Sequence, residues 1–424
     1  MFGVGAGIAC LAVEGLYGLV ILKLLIKHLP DQIAGFWTVV MTVGSFLMLL
    51  QVGMGPTISR EIAGIPLQNL NTAGPQLLLA LSKVRKARRY IGILIMIVAG
   101  LVFAAYLLPL AVRCSIVPAA ATACLSYAIG VVLYVVGLFD LFVINGLGEV
   151  GWDKVLRTVS VSVGLVGAWL NLTLGGGIVG LGLVFLAQNM IFRSACGILA
   201  QRYIPYSNVS LENQEAEVGA LFAQGGKLLY LNVLTYIVSN AGILVFEREF
   251  GLEKLPGYTA ITRIALLLGT IGNLVPQMAY PRIASAWARK DITAARRYYL
   301  SSVASAVILF VISSIPIIIL RQWLFANWIG AARYLGDGLL FLFIGHQLIA
   351  VHHAAHASAS LATQGNAFAV ASTVNVFLVV IATVILPRQF GPIGFPIAMI
   401  LGTIPSSLWI VHCAWRKFYP VASE

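Results

Sequence analysis

Twelve stretches of this sequence are each long and apolar enough to cross a bilayer as an α-helix, and no other feature narrows the possible folds as far. A hydrocarbon core of roughly 30 Å needs about 20 residues of helix. The stretches fall near 4–26, 34–59, 90–111, 119–145, 157–174, 177–199, 221–246, 258–281, 299–320, 337–361, 367–386 and 392–415. Lipid offers no partner to an unpaired backbone N–H or C=O, so such a run has to satisfy its own backbone as helix. Composition agrees, with 60% hydrophobic and only 10% charged residues; a soluble domain carries about 25% charged residues. The expected class is an all-α integral membrane protein with twelve transmembrane helices.

The net charge of +12 does not point to nucleic acid, because the Lys and Arg residues gather in short segments between apolar runs. Seventeen of them follow even-numbered spans or lie at the C-terminus, among them Arg60, Lys83–Arg89, Arg282 and Arg296; eight follow odd-numbered spans. The bias predicts both termini on the cytoplasmic side. The first apolar run has no basic lead and no small-residue cleavage site, so its removal as a signal peptide is not expected. The five cysteines lie in or beside apolar segments without paired spacing and read as packing residues.

The longest polar stretch, "QRYIPYSNVSLENQEAEVG", lies at the midpoint. It suggests a six-helix lobe over 1–200, a cytoplasmic linker over 201–218 and a second six-helix lobe over 219–424. The halves share marks in one order. Gly35 to Arg60 aligns with Gly257 to Arg282 at a constant offset of 222; "RRY" opens the third span of each half; "GIVG" and "GPIG" open the sixth. These point to internal duplication. An even number of spans per half inserts both halves the same way up, as in parallel-repeat transporters, which leaves a central cavity between lobes.

"LLQVGMGPTISREIAG" (49–64), "AGFW" before it and "FGPIGFPIA" (390–398) resemble the second- and twelfth-helix motifs of polysaccharide (O-antigen-type) flippases, in the multidrug/oligosaccharidyl-lipid/polysaccharide exporter superfamily. The resemblance extends over the chain in span count and midpoint, with one departure: no short basic lead precedes the first span. It implies two lobes forming a V that opens alternately to each side of a bacterial inner membrane. It also implies a cargo of oligosaccharide linked to undecaprenyl pyrophosphate.

An ionisable side chain at mid-membrane costs about 2.5–3.5 kcal/mol on insertion scales and so needs a reason. Arg263, in "TAITRIALLLG", offers a planar fork matched to phosphate oxygens, or pairs structurally with a carboxylate such as Glu253. Arg60 and Arg282, at the ends of second spans, contact lipid headgroups or steer phosphate. Four of the six histidines fall within "HQLIAVHHAAHA". At 100° per residue His346, His353 and His356 share a helix face, read as polar cavity lining or as interhelical packing, while His352 points elsewhere. No Asp or Glu flanks them, and "HHxxH" lacks the glutamate of the zinc motif, so no metal is expected. Glu14 in the first span and Asp140 in the fourth are candidates to bind a coupling proton or Na⁺; the superfamily resemblance supports carboxylates in the first lobe for that role, and interhelical hydrogen bonding is the alternative.

No phosphate-binding loop is present, so ATP is not the energy source, and no cofactor is expected. The leading expectation is a transporter, not an enzyme, that flips a lipid-linked oligosaccharide outward among membrane lipids and other polysaccharide-assembly proteins. The alternatives are a cation-coupled exporter of small amphipathic molecules and an integral-membrane glycan polymerase or acyltransferase. The first favours an acidic cavity. The second favours a large outer loop, which this chain lacks.

Overall fold

The computed structural model describes residues 2–65, 70–149, 151–203, 218–363 and 367–419. Residues 204–217, most of the expected linker, lie outside the described residues. Every regular element among the described residues is helical. In order they are α1 (Phe2–His28), α2 (Asp31–Leu49), α3 (Met54–Ala63), α4 (Leu70–Val102), α5 (Leu108–Arg113), α6 (Val117–Gly146), α7 (Gly151–Thr173), α8 (Gly177–Tyr203), α9 (Gly219–Phe250), α10 (Leu255–Ala288), α11 (Ile292–Trp328), α12 (Asp337–Ala362), α13 (Ala367–Phe390) and α14 (Gly394–Phe418).

Ten described segments are long and apolar enough to cross a membrane, and the last of these, 370–418, contains both α13 and α14. With α1 they account for the twelve expected spans. Two spans are interrupted. The second breaks at residues 50–53, between α2 and α3, where the sequence suggested one continuous run. The third passes from α4 through a π-helical turn, Phe103–Leu107, into α5. The basic stretch 82–90, expected between spans, is instead part of α4, which begins at Leu70. Likewise α10 runs on past Arg282 to Ala288, so that arginine lies within a helix and not at its end.

The chain divides into two compact units, Met1–Val233 and Leu234–Glu424, with the division inside α9. In unit 1, α6 packs against α8, α3 and α4, and α1 packs against α7. In unit 2, α12 packs against α10, α14 and α11, and α13 packs against α14. Between α7 and α8 the turn needs left-handed backbone at Gly175 and Gly177, and Asn171 donates to the Gly177 carbonyl at 3.0 Å. A Cβ on Gly180 would strike the Asn171 amide oxygen. The α10–α11 corner closes when Asp291 accepts from the Ala294 N–H at 2.9 Å, an N-cap on α11.

Candidate functional site

In unit 1 the apolar bundle closes around charge. Asp140, six residues before the end of α6, accepts from Arg88 Nη1 at 3.0 Å through Oδ1 and from Arg193 Nη1 at 2.6 Å through Oδ2. One carboxylate therefore bridges guanidiniums from α4 and α8. The Asp140 side chain is 14% exposed and the two arginines about a quarter exposed. The cluster carries one surplus positive charge. A proton or Na⁺ at Asp140 would share the carboxylate with two arginines already bonded there. The coupling role expected for Asp140 thus meets a competitor that the sequence did not reveal.

Glu14, the other coupling candidate, is exposed on α1 and lies within electrostatic reach of Arg157 on α7. Arg157 donates from Nε to the buried Asp153 at 2.7 Å and stands 6.0 Å from the centre of the Tyr134 ring. Arg60 is exposed in the last turn of α3. Its neighbour Glu61 pairs with Lys83 at 2.6 Å, tying α3 to α4. Between α2, α4 and α6 lies an apolar pocket of about 300 Å³, lined by Val40, Gly44, Leu47, Phe103 and Tyr127 among others. That lining suits hydrocarbon and offers nothing to a charged head.

In unit 2 the histidines of α12 meet neutral polar groups. Arg263 is half-buried, two turns into α10, and Arg282 is exposed further along the same helix. On α12, His346 is buried, with Nε2 3.3 Å from Thr403 Oγ1 on α14; that hydroxyl in turn donates to Asn375 on α13 at 3.5 Å. The other ring nitrogen of His346 is buried with no hydrogen-bond partner. His353 is half-buried. His356 has Nδ1 2.6 Å from the hydroxyl of Tyr299 on α11, and Nε2 3.1 Å from His352 Nε2 one turn back. Tyr299 is fully buried and stacks on Phe418 at 4.7 Å.

The expectation that His352 points away from the others is overturned by that contact. Residues four apart on a helix lie on one face, and 40° separates His352 from His356. His356 has both ring nitrogens engaged inside the unit and none free for a ligand. His346 and His356 turn to different neighbours, so the histidines do not act as one stripe. Among the described residues no group of three or more His, Cys, Asp or Glu has metal-binding geometry. Arg88, Arg193 and Tyr299 were not singled out from the sequence, and His352 was set apart from the other histidines. Arg193, inside the apolar run "NMIFRSACGILA", carried the same signal as Arg263.

No family model matches the sequence, and no curated protein matches it. Solved structures do. An inward-facing multidrug resistance MATE family transporter of the MOP superfamily superposes with a TM-score of 0.76 at 13% identity, covering 98% of this chain and 99% of that one. The lipid II flippase MurJ, in an inward closed conformation, superposes with a TM-score of 0.70 at 14% identity, over 97% of this chain and 87% of that one. An outward-facing MATE transporter of the same superfamily gives 0.67 at 14% identity, over 98% and 94%. The chain has the all-helical fold of these proteins along essentially its whole length.

Proposed function

We propose that the chain is a membrane transporter that moves a polyprenyl-pyrophosphate-linked oligosaccharide across the bilayer by alternating access. The fold supports transport, since it is similar over nearly all of its length to MATE transporters and to a lipid II flippase. The observation that carries the choice of cargo is the sign of the charge inside the spans. Arg263 lies within α10, and the Arg88–Asp140–Arg193 cluster holds more cation than anion. Intramembrane cations suit a diphosphate, whereas an exporter of organic cations calls for buried carboxylates; among the described residues these are Asp153, which Arg157 holds, and Glu247 on α9. In this reading Arg263 holds the diphosphate, Arg60 and Arg282 attract it, and His346 and His353 meet sugar hydroxyls. The polyprenyl tail stays in lipid. Glu14 and Asp140 are the carboxylates proposed for ion coupling, and Asp140 is already held by two arginines.

Arg263 gives the test. Purified protein is reconstituted into liposomes, and flipping of a polyprenyl-diphosphate oligosaccharide is followed by the appearance of its sugar on the far leaflet. Loss of a charge-assisted bidentate contact is worth about 1.5–3 kcal/mol, so Arg263→Ala should slow flipping roughly tenfold or more, with Arg263→Lys in between. A wild-type rate for Arg263→Ala at matched protein amount would remove that residue from the site. Transport of small organic cations in place of the lipid-linked sugar would favour the exporter reading.

A further inference from the structure

We propose that His352, His356 and Tyr299 form a proton-accepting relay inside unit 2, with His352 as its entry and the Tyr299 hydroxyl as its buried end. The argument starts from two contacts, 2.6 Å between Tyr299 Oη and His356 Nδ1 and 3.1 Å between His356 Nε2 and His352 Nε2. A neutral imidazole has one nitrogen that donates and one that accepts. With both rings neutral, only two proton orders satisfy both contacts. In the first, the Tyr299 O–H donates to His356 Nδ1, and His356 Nε2–H donates to His352 Nε2. In the second every donor is reversed: His352 Nε2–H donates to His356 Nε2, and His356 Nδ1–H donates to the phenol oxygen.

The first order has no vacant basic nitrogen, because the Nδ1 of His352 then carries its proton. An extra proton leaves two arrangements that keep both contacts: the second order with both nitrogens of His352 protonated, or His356 doubly protonated and donating from Nδ1 to the phenol oxygen and from Nε2 to His352 Nε2. The Tyr299 hydroxyl hydrogen must then turn away from His356. One proton arriving at half-buried His352 is therefore felt at a fully buried phenol on another helix. The relay converts protonation on α12 into a changed contact with α11.

α10, α11, α13 and α14 pack against α12. His353 stands beside the relay on α12. From α11, the Arg296 guanidinium lies 3.3 Å from the centre of the Tyr419 ring. Beyond the end of α12, Lys417 of α14 donates to the carbonyl and hydroxyl of Thr363 at 3.1 Å, and Tyr419 lies just past α14. α10 contributes apolar Ile283 and Ala286 to the same cluster. Among the described contacts of the three relay residues there is no carboxylate. Among the described residues a protonated relay thus has no carboxylate in contact with it, and an anion brought near it would hold the proton in place. Proton uptake and diphosphate binding would then strengthen each other by the same factor. This last step rests on the transport reading above; the relay itself does not.

The experiment has two arms. In the first, the full chain is labelled with ¹⁵N-histidine, placed in lipid nanodiscs and titrated between about pH 5 and 8, the range in which imidazole changes charge. The expected result is that His352 and His356 titrate as a coupled pair taking up one proton. Tyr299→Phe should change the tautomer of His356, and His352→Gln should abolish its response. Independent titration of the two rings, or a His356 signal identical in wild type and both variants, overturns the relay.

In the second arm, flipping in liposomes is compared with and without an imposed gradient of one pH unit, which biases a one-proton equilibrium about tenfold. The ratio of the two rates should exceed one in wild type and fall to one in His352→Gln. A ratio unchanged by His352→Gln and Tyr299→Phe overturns the coupling role. If the wild-type protein flips no lipid-linked sugar under either condition, the transport reading fails, and the first arm still decides the relay.

Discussion

In unit 1, α4, α6 and α8 meet at a carboxylate set between two guanidiniums. In unit 2, the helices at the same positions in the order of spans, α11, α12 and α14, are joined by a phenol, imidazoles and a threonine hydroxyl. Both solutions bind three apolar rods by polar contacts, but they behave differently. The carboxylate of unit 1 accepts from both sides and has one donor pattern, because neither guanidinium can surrender its proton. The imidazole chain of unit 2 has two donor patterns of the same connectivity. A charge cluster fixes an arrangement; a chain of neutral rings can reverse. The comparison suggests that rigidity is set in unit 1 and responsiveness in unit 2.

The most damaging way to break that contrast is to remove the central carboxylate. Asp140→Ala leaves two partly buried guanidiniums facing each other, and loss of one partner from a buried ion pair costs about 3–5 kcal/mol. The arginines are about a quarter exposed, which places the expected loss near the lower end. Unfolding by steric trapping in lipid should measure it. Replacing all three residues with apolar side chains of similar volume should recover most of that loss, because a buried ionic cluster is often no more stable than a well-packed apolar one. If Asp140→Ala unfolds like wild type, the cluster does not hold the helices together.

The difference between the units also shows what could be read from the chain itself. The twelve spans were legible, because lipid leaves an apolar run no alternative to helix. The charge cluster was not. Arg88 is one of several basic residues in "SKVRKARRY", and only the early start of α4 at Leu70 carries it into the bundle. Nothing local tells Arg88 from Arg89, yet Arg88 is half-buried against a residue on another helix and Arg89 is exposed. Helix periodicity did group the histidines, but a face drawn as a sharp sector excluded His352, although side chains one turn apart reach each other across 40°. The partners Tyr299 and Thr403 lie 57 residues away on either side of their histidines and could come only from packing.

A smaller effect is expected within unit 2. Tyr299→Phe removes one hydroxyl and leaves a ring nitrogen of His356 without its partner; Thr403→Val does the same to His346. A buried polar group left unsatisfied costs about 1–3 kcal/mol. Both variants should fold, with unfolding free energies reduced by that amount. They should separate in function: Tyr299→Phe perturbs the relay, while Thr403→Val lies outside it and leaves the pH response intact. Equal loss of pH response in both would mean that general loosening of α12, and not proton order, underlies the effect.

The smallest effect sharpens the comparison by testing whether charge alone matters. Arg388 on α13 donates through Nε and Nη2 to Glu249 on α9, at 3.2 and 3.0 Å, so its geometry is at least as complete as that of either contact at Asp140. Its setting differs, since the arginine side chain is 56% exposed. Ion pairs of that kind contribute about 0–1 kcal/mol, because water already solvates both partners and holding two long side chains in place costs entropy. Glu249→Gln should therefore change the unfolding free energy by less than 1 kcal/mol, and salt should diminish even that. Asp140→Ala should be nearly insensitive to salt, because buried charges are screened far less. If the two substitutions cost the same and respond to salt alike, burial does not distinguish the pairs, and the α4–α6–α8 cluster reduces to another surface contact.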